Sequence, residues 1–478
     1  MNVREYDQHQ TLLFPPHLKD FLSDDHPAMI INDIIETLDL SCLYRKVPSE
    51  GNPSYHPKMM LKILVYAYAN GMFSSRKIQA AVQESVAFIF LAAWQQPDFR
   101  TISDFRKNNL DDFRALFNQV VTMCKRLGMV SLGHVAIDGS KFKANASDKK
   151  TYDKKRINDA IDKLLEQADQ IDRQEDCIFG PENDDNQVPE QVRRQKDRLE
   201  KLQQIKKELE QSGNKKINAT DPDAVFMKTK HGIKTSYNGQ VAVEKSHNII
   251  VAADVTQDPS DTEQLVPMVE QTKEQIGSPD KVSADSGYSS GPNLQKLAEQ
   301  GIDAHIPDAN YQGRQRGKQE APGEALFTRS CFKRDELKDC FICPAGEKLT
   351  FYGLQKVKNK EPLRLYRCAA FKKCALKSKC TKSRSGRTIT LNAYDDQFRA
   401  MRNKLDSPLG KKIYAQRKSI VEPVFGQLKE NMGFQKFLLR GLEKVTGEFL
   451  LACMAYNMRK IVNALKLQRP ISCQVSPA

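Results

Sequence analysis

The feature that most constrains this chain is a change of hydrophobic rhythm near residue 134. Before it, apolar residues recur at three- and four-residue spacing; after it, β-branched runs alternate with helical segments as far as residue 307. HVAIDGSKFKANAS reads as a strand ending at Asp138-Gly139, and TSYNGQVAVEK and IIVAADVTQ as a hairpin turning at Ser246-His247-Asn248. The helix DPSDTEQLVPMVEQTKEQIG separates that hairpin from KVSADSGYSS, a strand ending at Asp285. NLQKLAEQGI is a further helix before the short strand DAHIP. Strands and helices interleaved around one sheet predict an α/β core.

Other regions keep the helical rhythm. Residues 20–130 read as helices: Pro57 suits a first helical position before KMMLKILVYAYANGM, Ser74 or Ser75 caps SRKIQAAVQ, and Ser103 caps a later helix. Short helices joined by tight turns fit helix-turn-helix modules; an ordinary helical bundle fits them equally. Trp94, the single Trp, is expected in that core. Within the sheet region, residues 150–215 are charged and helical. Ile157, Ile161, Leu164, Ala168 and Ile171 form one stripe, and Leu199, Leu202, Ile205 and Leu209 another. With GPENDDNQVP as the turn, they predict an inserted antiparallel helical hairpin. Residues 310–400 read as irregular, and two helices, roughly 408–432 and 443–465, close the chain. The second is apolar on every side and so expected to be buried.

The chain is 40% hydrophobic and 28% charged, enough for real cores. Its longest apolar runs, Val86–Trp94 and Phe449–Tyr456, fall far short of the ~20 residues of a membrane span. The opening MNVREYDQHQ lacks a basic-then-apolar signal pattern, which predicts an intracellular protein. Of the net charge of +14, residues 351–420 hold all the excess, with 19 Lys or Arg against 4 Asp or Glu. Such concentration is the footprint of a polyanion partner, the alternative being a solvated basic loop. Eleven cysteines, an odd number, point to reduced thiols rather than a disulfide framework. Cys340-x2-Cys343 has zinc-knuckle spacing, whereas Cys368-x5-Cys374-x5-Cys380 does not. A structural Zn²⁺ on Cys340, Cys343, Cys374 and Cys380, with Cys368 as a substitute, stands beside the reading of plain loop thiols.

Three acids have positions suited to chemistry. Asp138 and Asp285 each end a strand, where α/β sheets place ligands. Glu422 lies in YAQRKSIVEPVFGQLKE, a helix able to pack across them. Hard oxygen ligands suit Mg²⁺ or Mn²⁺; turn formation or helix capping is the ordinary alternative for strand-end Asp.

VAIDGSKFKANAS, ADSGY and the stretch Tyr414 to Lys429 resemble, in that order, the bacterial insertion-sequence DDE transposases, whose catalytic domain is ribonuclease H-like. Tyr414, Arg417, Glu422 and Lys429 match the pattern Tyr-x2-Arg-x3-Glu-x6-Lys, except that four residues separate Arg417 from Glu422. HPKMMLKILVYAYANG with DFRTISDFR, the hairpin, NATDPDAVFMK, YNGQVAV and the Cys-containing stretch are similar to one subgroup. The resemblance implies a helical DNA-binding domain over 1–130 and a catalytic core over 131–307 and 401–470. That core carries a hairpin insertion at 146–232, and a basic Cys-rich insertion spans 308–400. It implies Asp138, Asp285 and Glu422 as ligands of two Mg²⁺ or Mn²⁺ ions that cut element ends and join the 3′-hydroxyl to target DNA. No Ser or Tyr nucleophile is needed. Tyr414, Arg417, Lys418 and Lys429 become DNA contacts, Lys418 being the alternative cation to the displaced Arg417, and Lys429 sharing the helix face of Glu422. The implied partners are double-stranded DNA, as terminal inverted repeats and target, and a second copy of the chain in a synaptic complex at the bacterial nucleoid. A transposase-derived DNA-binding protein and a nuclease that does not join ends are the alternatives. Phe351, Tyr352 and Phe371 are candidates for a wedge against an unstacked base.

Overall fold

The N-terminal region folds as its apolar spacing requires. In the computed structural model, which describes residues 17–50, 53–179, 190–213, 215–315, 327, 329–357 and 360–468, seven helices form this region. They are α1 (Pro27–Glu36), α2 (Ser41–Tyr44), α3 (Pro57–Ala69), α4 (Ser75–Glu84), α5 (Val86–Ala92), α6 (Phe99–Asn108) and α7 (Asp112–Arg126). Pro57 opens α3, where its missing N–H has no intrahelical role to lose. Ser103 does not cap a helix but lies inside α6, whose start is set by Asp98 accepting from Thr101 N at 2.7 Å. Trp94 is not a core residue: it is 68% exposed. Ala93 and Trp94 both take left-handed backbone (φ 48° and 65°), which ends α5 and carries the indole off the buried face.

The chain then forms β1 (His134–Lys143), β2 (Thr151–Asp153), α8 (Lys154–Phe179), α9 (Glu190–Ser212), β3 (Lys216–Asn218), β4 (Val225–Thr229), β5 (Gly232–Glu244) and β6 (Ile250–Thr256). α10 (Leu265–Ile276), β7 (Lys281–Ala284), α11 (Gly291–Glu299) and β8 (Asp303–His305) follow. The main sheet runs β6-β5-β1-β7-β8, with β4 sharing one edge of β5 with β6. β5 is antiparallel to its neighbours, while β1, β7 and β8 are mutually parallel. This is the mixed sheet of an α/β core. The helical hairpin projects from it: Ile157, near the start of α8, packs on Leu209, near the end of α9, and on Ile217 of β3. The turn at 180–189 and the side chains of Ala168 and Ile171 lie outside the described residues.

The described residues between 310 and 400 are not irregular. After α12 (Tyr311–Gln315), β9 (Lys333–Asp335), β10 (Cys340–Ile342), β11 (Lys348–Val357), β12 (Lys360–Cys368) and β13 (Thr388–Leu391) form a five-stranded antiparallel sheet. α13 (Lys377–Cys380) lies between its last two strands. The sheet escapes a periodicity reading because its outer strands are short and β11 pairs with β12 through register shifts at Phe351/Gly353 and Gln355/Val357. Each shift inverts the alternation of sides.

α14 (Asp395–Asp406) and α15 (Pro408–Gly426) return the chain to the main sheet, and α16 (Leu442–Gln468) ends it. α16 is the buried helix expected, and one continuous apolar cluster joins it to the N-terminal helices and the main sheet. A polar lock crosses this core. The fully buried Glu448 accepts from Leu438 N and Leu439 N, both at 3.0 Å, and from the Tyr68 hydroxyl at 3.5 Å. Arg106 in turn donates to the Tyr68 hydroxyl at 3.2 Å and to Phe73 O at 2.8 Å.

Candidate active site

The parallel register of β1 and β7 pairs Ile137 with Ala284, so Asp138 and Asp285 follow side by side. β7 ends there, but β1 runs on to Lys143 paired with β5, so Asp138 lies within its strand and not at the strand end expected. Asp138 Oδ1 accepts from Gly139 N at 3.0 Å. Asp285 Oδ1 accepts from Gly287 N at 2.8 Å and so opens the turn Ser286–Tyr288. Burial pushes the Asp138 carboxyl up, Arg417 opposes that, and the neighbouring Asp285 adds to it, leaving Asp138 at about 6. Arg417 Nη1 lies 3.2 Å from Asp138 Oδ2. The contact is an ion pair with poor hydrogen-bond alignment, since Arg417 Nε and Nη1 are buried without an aligned acceptor among the described residues.

α15 supplies the cover. Ser407 caps it, accepting from Gly410 N at 3.0 Å, and Pro408 sits at its first position. Ile420, Val421 and Val424 are buried. Tyr414 and Arg417, three residues apart, share a helix face. The Tyr414 ring meets Tyr311 edge-on at 5.3 Å, and burial raises its phenol. The site cation is therefore Arg417, despite its displaced spacing in sequence. Lys418, one residue and about 100° further round the helix, is exposed.

Glu422 is also exposed. It precedes Pro423, whose missing N–H frees the carbonyl of Ser419 within the helix. Asn248, in left-handed backbone at the β5–β6 turn (φ 55°), donates through Nδ2 to Ser419 O at 3.2 Å and Ile420 O at 3.0 Å. Asp138 and Asp285 are thus neighbours, and Glu422 stands apart on the solvent-exposed side of α15. Among the described residues no three His, Cys, Asp or Glu side chains are gathered to hold a metal ion.

Beyond α15 the backbone widens into a π-turn over Gln427–Asn431, so the regular two-turn relation expected between Glu422 and Lys429 is broken. Lys429 Nζ donates to Ser140 Oγ at 2.6 Å and Lys141 O at 2.8 Å, and lies 4.3 Å from the Phe142 ring centre. Burial lowers its ammonium to about 8. Ser140 is two residues along β1 from Asp138, so Lys429 borders the site. His134 and His247 are ordinary structural residues, as their places in sequence imply. His134 Nε2 pairs with Ser283 Oγ at 2.9 Å, and His247 Nδ1 with Met129 O at 3.1 Å.

Sequence reasoning missed Asp261, which it placed in the lead-in to α10. Its Oδ1 accepts from Asn238 Nδ2 at 2.6 Å, Gln240 Nε2 at 2.8 Å and Lys141 Nζ at 3.2 Å. Gln240 also accepts from the buried Tyr288 hydroxyl. Thr262 Oγ1 donates to Gly287 O at 3.0 Å, and Asn293 Nδ2 donates to Thr262 O at 2.7 Å and Tyr288 O at 2.8 Å. The Asp261 loop is thereby bolted to the turn that carries Asp285. Two glycines make the room. A Cβ on Gly139 would lie 2.8 Å from Asp261 Oδ1, and one on Gly287 would lie 3.0 Å from Asp285 Oδ1 and 3.6 Å from Asp261 Oδ2. The available signal was Asn238 and Gln240, two polar residues on one side of a strand otherwise built for burial.

The expected zinc set changes too. Cys343, Cys374 and Cys380 line one small cavity with Cys368, and Cys340 is not among the lining residues. Strand alternation puts Cys340 on the side of β10 opposite Phe341, which faces the small core.

A family model described as "Transposase domain (DUF772)" matches residues 16–108, and one described as "Transposase DDE domain" matches residues 342–462. The second match includes Tyr414 to Lys429 and begins after Asp138 and Asp285. No curated protein matches the chain. A cryo-EM structure of a piggyBac transposase synaptic complex with hairpin DNA is similar over 95% of this chain and 76% of that one, at 10% identity and a TM-score of 0.31. A likeness that distant carries no argument about this chain. The chain is thus similar to transposases in two segments, its helical N-terminal region and the segment that brings α15 to the sheet, the latter matching a DDE domain.

Proposed function

We propose that the protein cleaves DNA strands at the ends of its mobile element and joins the freed 3′-hydroxyl to target DNA, using Asp138, Asp285 and Glu422. The observation that carries this reading is the adjacency of Asp138 and Asp285 on the neighbouring parallel strand paths of β1 and β7, beneath a helix that brings Arg417 to Asp138. The pair fits a divalent cation: two hard oxygen donors stand together, one of them half-buried with its carboxyl raised to about 6, so charge neutralisation favours its ionised form. Two Mg²⁺ or Mn²⁺ ions bound there supply Lewis-acid polarisation of the phosphodiester and an activated water or hydroxyl. Asp138 and Asp285 hold them, and Glu422 completes the set from the exposed side of α15.

The chain's own cations then position the nucleic acid. Arg417, already drawn to Asp138, and Lys429, beside Ser140, offer positive charge on both sides of the carboxylates. Tyr414 and the exposed Lys418 extend this surface along α15. The five-stranded sheet supplies the wider contact, since the basic excess of the chain begins at its β11. There Arg364 lies 5.1 Å from the centre of the Phe351 ring and Arg367 lies 3.7 Å from that of Tyr352, both rings being partly exposed. Cation-on-aromatic pairs of this kind suit a polyanion that also presents base faces. In this reading the partners are double-stranded DNA and a second copy of the chain at the paired ends. No helix among the described residues is long and apolar enough to cross a membrane.

The test uses DNA ends carrying the inverted repeats that flank the gene, with Mg²⁺. Asp138→Ala, Asp285→Ala and Glu422→Ala are each expected to lower strand cleavage by about a thousandfold or more, the rate equivalent of several kcal/mol of charge stabilisation. End binding should be nearly unchanged. An Asp285→Ala protein that cuts its ends at the normal rate refutes the assignment.

A further inference from the structure

The five-stranded sheet has a core of only Phe332, Phe341, Leu349, Tyr366, Cys368 and Ile389. An apolar core of that size is one that natural small folds commonly supplement with a metal or a disulfide. Beside it lies a cavity of about 20 Å³ lined by Cys343, Cys368, Cys374 and Cys380, together with Phe332 and Leu349. That is room for one water-sized body.

The four thiols, all free, come from four separate pieces of backbone. Cys343 stands in the turn after β10, where its N–H donates to Glu347 O at 2.9 Å and its carbonyl accepts from Gly346 N at 2.9 Å. Cys368 ends β12, Cys374 precedes α13 with its carbonyl accepting from Lys377 N at 3.2 Å, and Cys380 ends α13. One link among them would tie β10, β12 and α13 together. Positive charge is already in place: Lys377 and Arg387 line the same cavity, and Arg387 Nε is buried without an acceptor among the described residues.

We propose that Cys343, Cys368, Cys374 and Cys380 bind one structural Zn²⁺ as a four-thiolate site. Each thiol forms a Zn–S bond and releases its proton to solvent, so four protons leave, and the resulting cluster carries two negative charges. Lys377 and Arg387 balance those charges, the Arg387 Nε–H being free to donate to a thiolate. The side chains are not yet gathered to metal-bonding distance, so the ion itself draws the four thiolates together. Cys340 takes no part. The site does not depend on the DNA chemistry proposed above.

The experiment measures zinc by elemental analysis on the full-length protein, purified without chelator. About one zinc per chain is expected in the wild type and in Cys340→Ser. Zinc should be nearly absent from Cys368→Ser, Cys374→Ser and Cys380→Ser. Should these variants fail to fold, Co²⁺ exchanged into the wild type decides: tetrahedral d–d bands with four-thiolate charge-transfer intensity support the site. Zinc-free wild-type protein, retention of zinc by Cys368→Ser or Cys374→Ser, loss in folded Cys340→Ser, or a Co²⁺ spectrum without sulfur charge transfer overturns it.

Discussion

The six-stranded sheet lies within one apolar cluster that reaches from α1 to α16, and α7, α10, α15 and α16 all pack against it. The five-stranded sheet of the insertion has six core residues and leaves Phe351, Tyr352 and Leu354 exposed. The difference shows what each can do with polar groups. Where apolar burial is ample, its gain offsets the cost of holding Asp138, Asp285, Asp261, Asn238 and Gln240 together beside β1 and β7, the group on which the proposed chemistry draws. Where burial is scarce, polar and sulfur-bearing side chains are needed for cohesion, and the open face is left for contact with a partner.

Three substitutions press on that contrast. The largest effect is expected from Glu448→Ala, which strips the acceptor from Leu438 N and Leu439 N and leaves the buried Arg106 with neutral partners only, Tyr68 and Phe73 O. A loss of about 3 kcal/mol in denaturant unfolding follows, in line with removing one partner from a buried charged network. It should be read in the main sheet and N-terminal helices, with the zinc content of the insertion unaltered. Wild-type stability in this variant would show that the polar lock does not hold the two regions together.

Asp261→Asn comes next. The carboxylate tethers the loop that fixes the Asp285 turn, so cleavage should fall by roughly 10- to 100-fold, the usual range for groups that orient ligands. The Mg²⁺ requirement should rise while end binding stays unchanged. A merely structural role would lower the melting temperature and leave the Mg²⁺ dependence where it was.

The smallest effect belongs to Lys429→Met, expected to weaken end binding evenly across sequences and flatten its salt dependence by about one phosphate contact. Its ammonium is lowered to about 8, so the charge is present below that pH and lost as pH rises through it. Wild-type end affinity should therefore decline across pH 8, and Lys429→Met should not show that step. A step of equal size in the variant would assign it to another group.

Much of this site was legible in the sequence. Asp138 and Asp285 stood out as expected strand-ending acids; Asp285 does follow the end of β7, whereas β1 runs on past Asp138, and their adjacency comes from the register of β1 and β7. Arg417 was harder to place, because motif spacing counts residues while contact depends on the angle around α15. Lys429 was legible as a neighbour of the site, but not through its stated relation to Glu422, which a π-turn interrupts. Asp261 was hidden because a helix lead-in accounts for an acid in DPSDTEQL without any site. The second sheet was hidden by its register shifts, which invert the period that reveals a strand.

The sequence by itself determined the α/β core, the charged hairpin, the buried closing helix and the likeness to transposases, because these rest on periodicity and motif order, which are local along the chain. Tertiary structure alone decided that Arg417 rather than Lys418 meets Asp138, that Asp261 braces the Asp285 turn, and that Cys368 replaces Cys340 at the cysteine cavity. Each of those outcomes depends on which side of an element a side chain leaves and on what a distant segment places there. Helix rotation, strand alternation and sheet register set both, and none of them can be counted off along one stretch of chain.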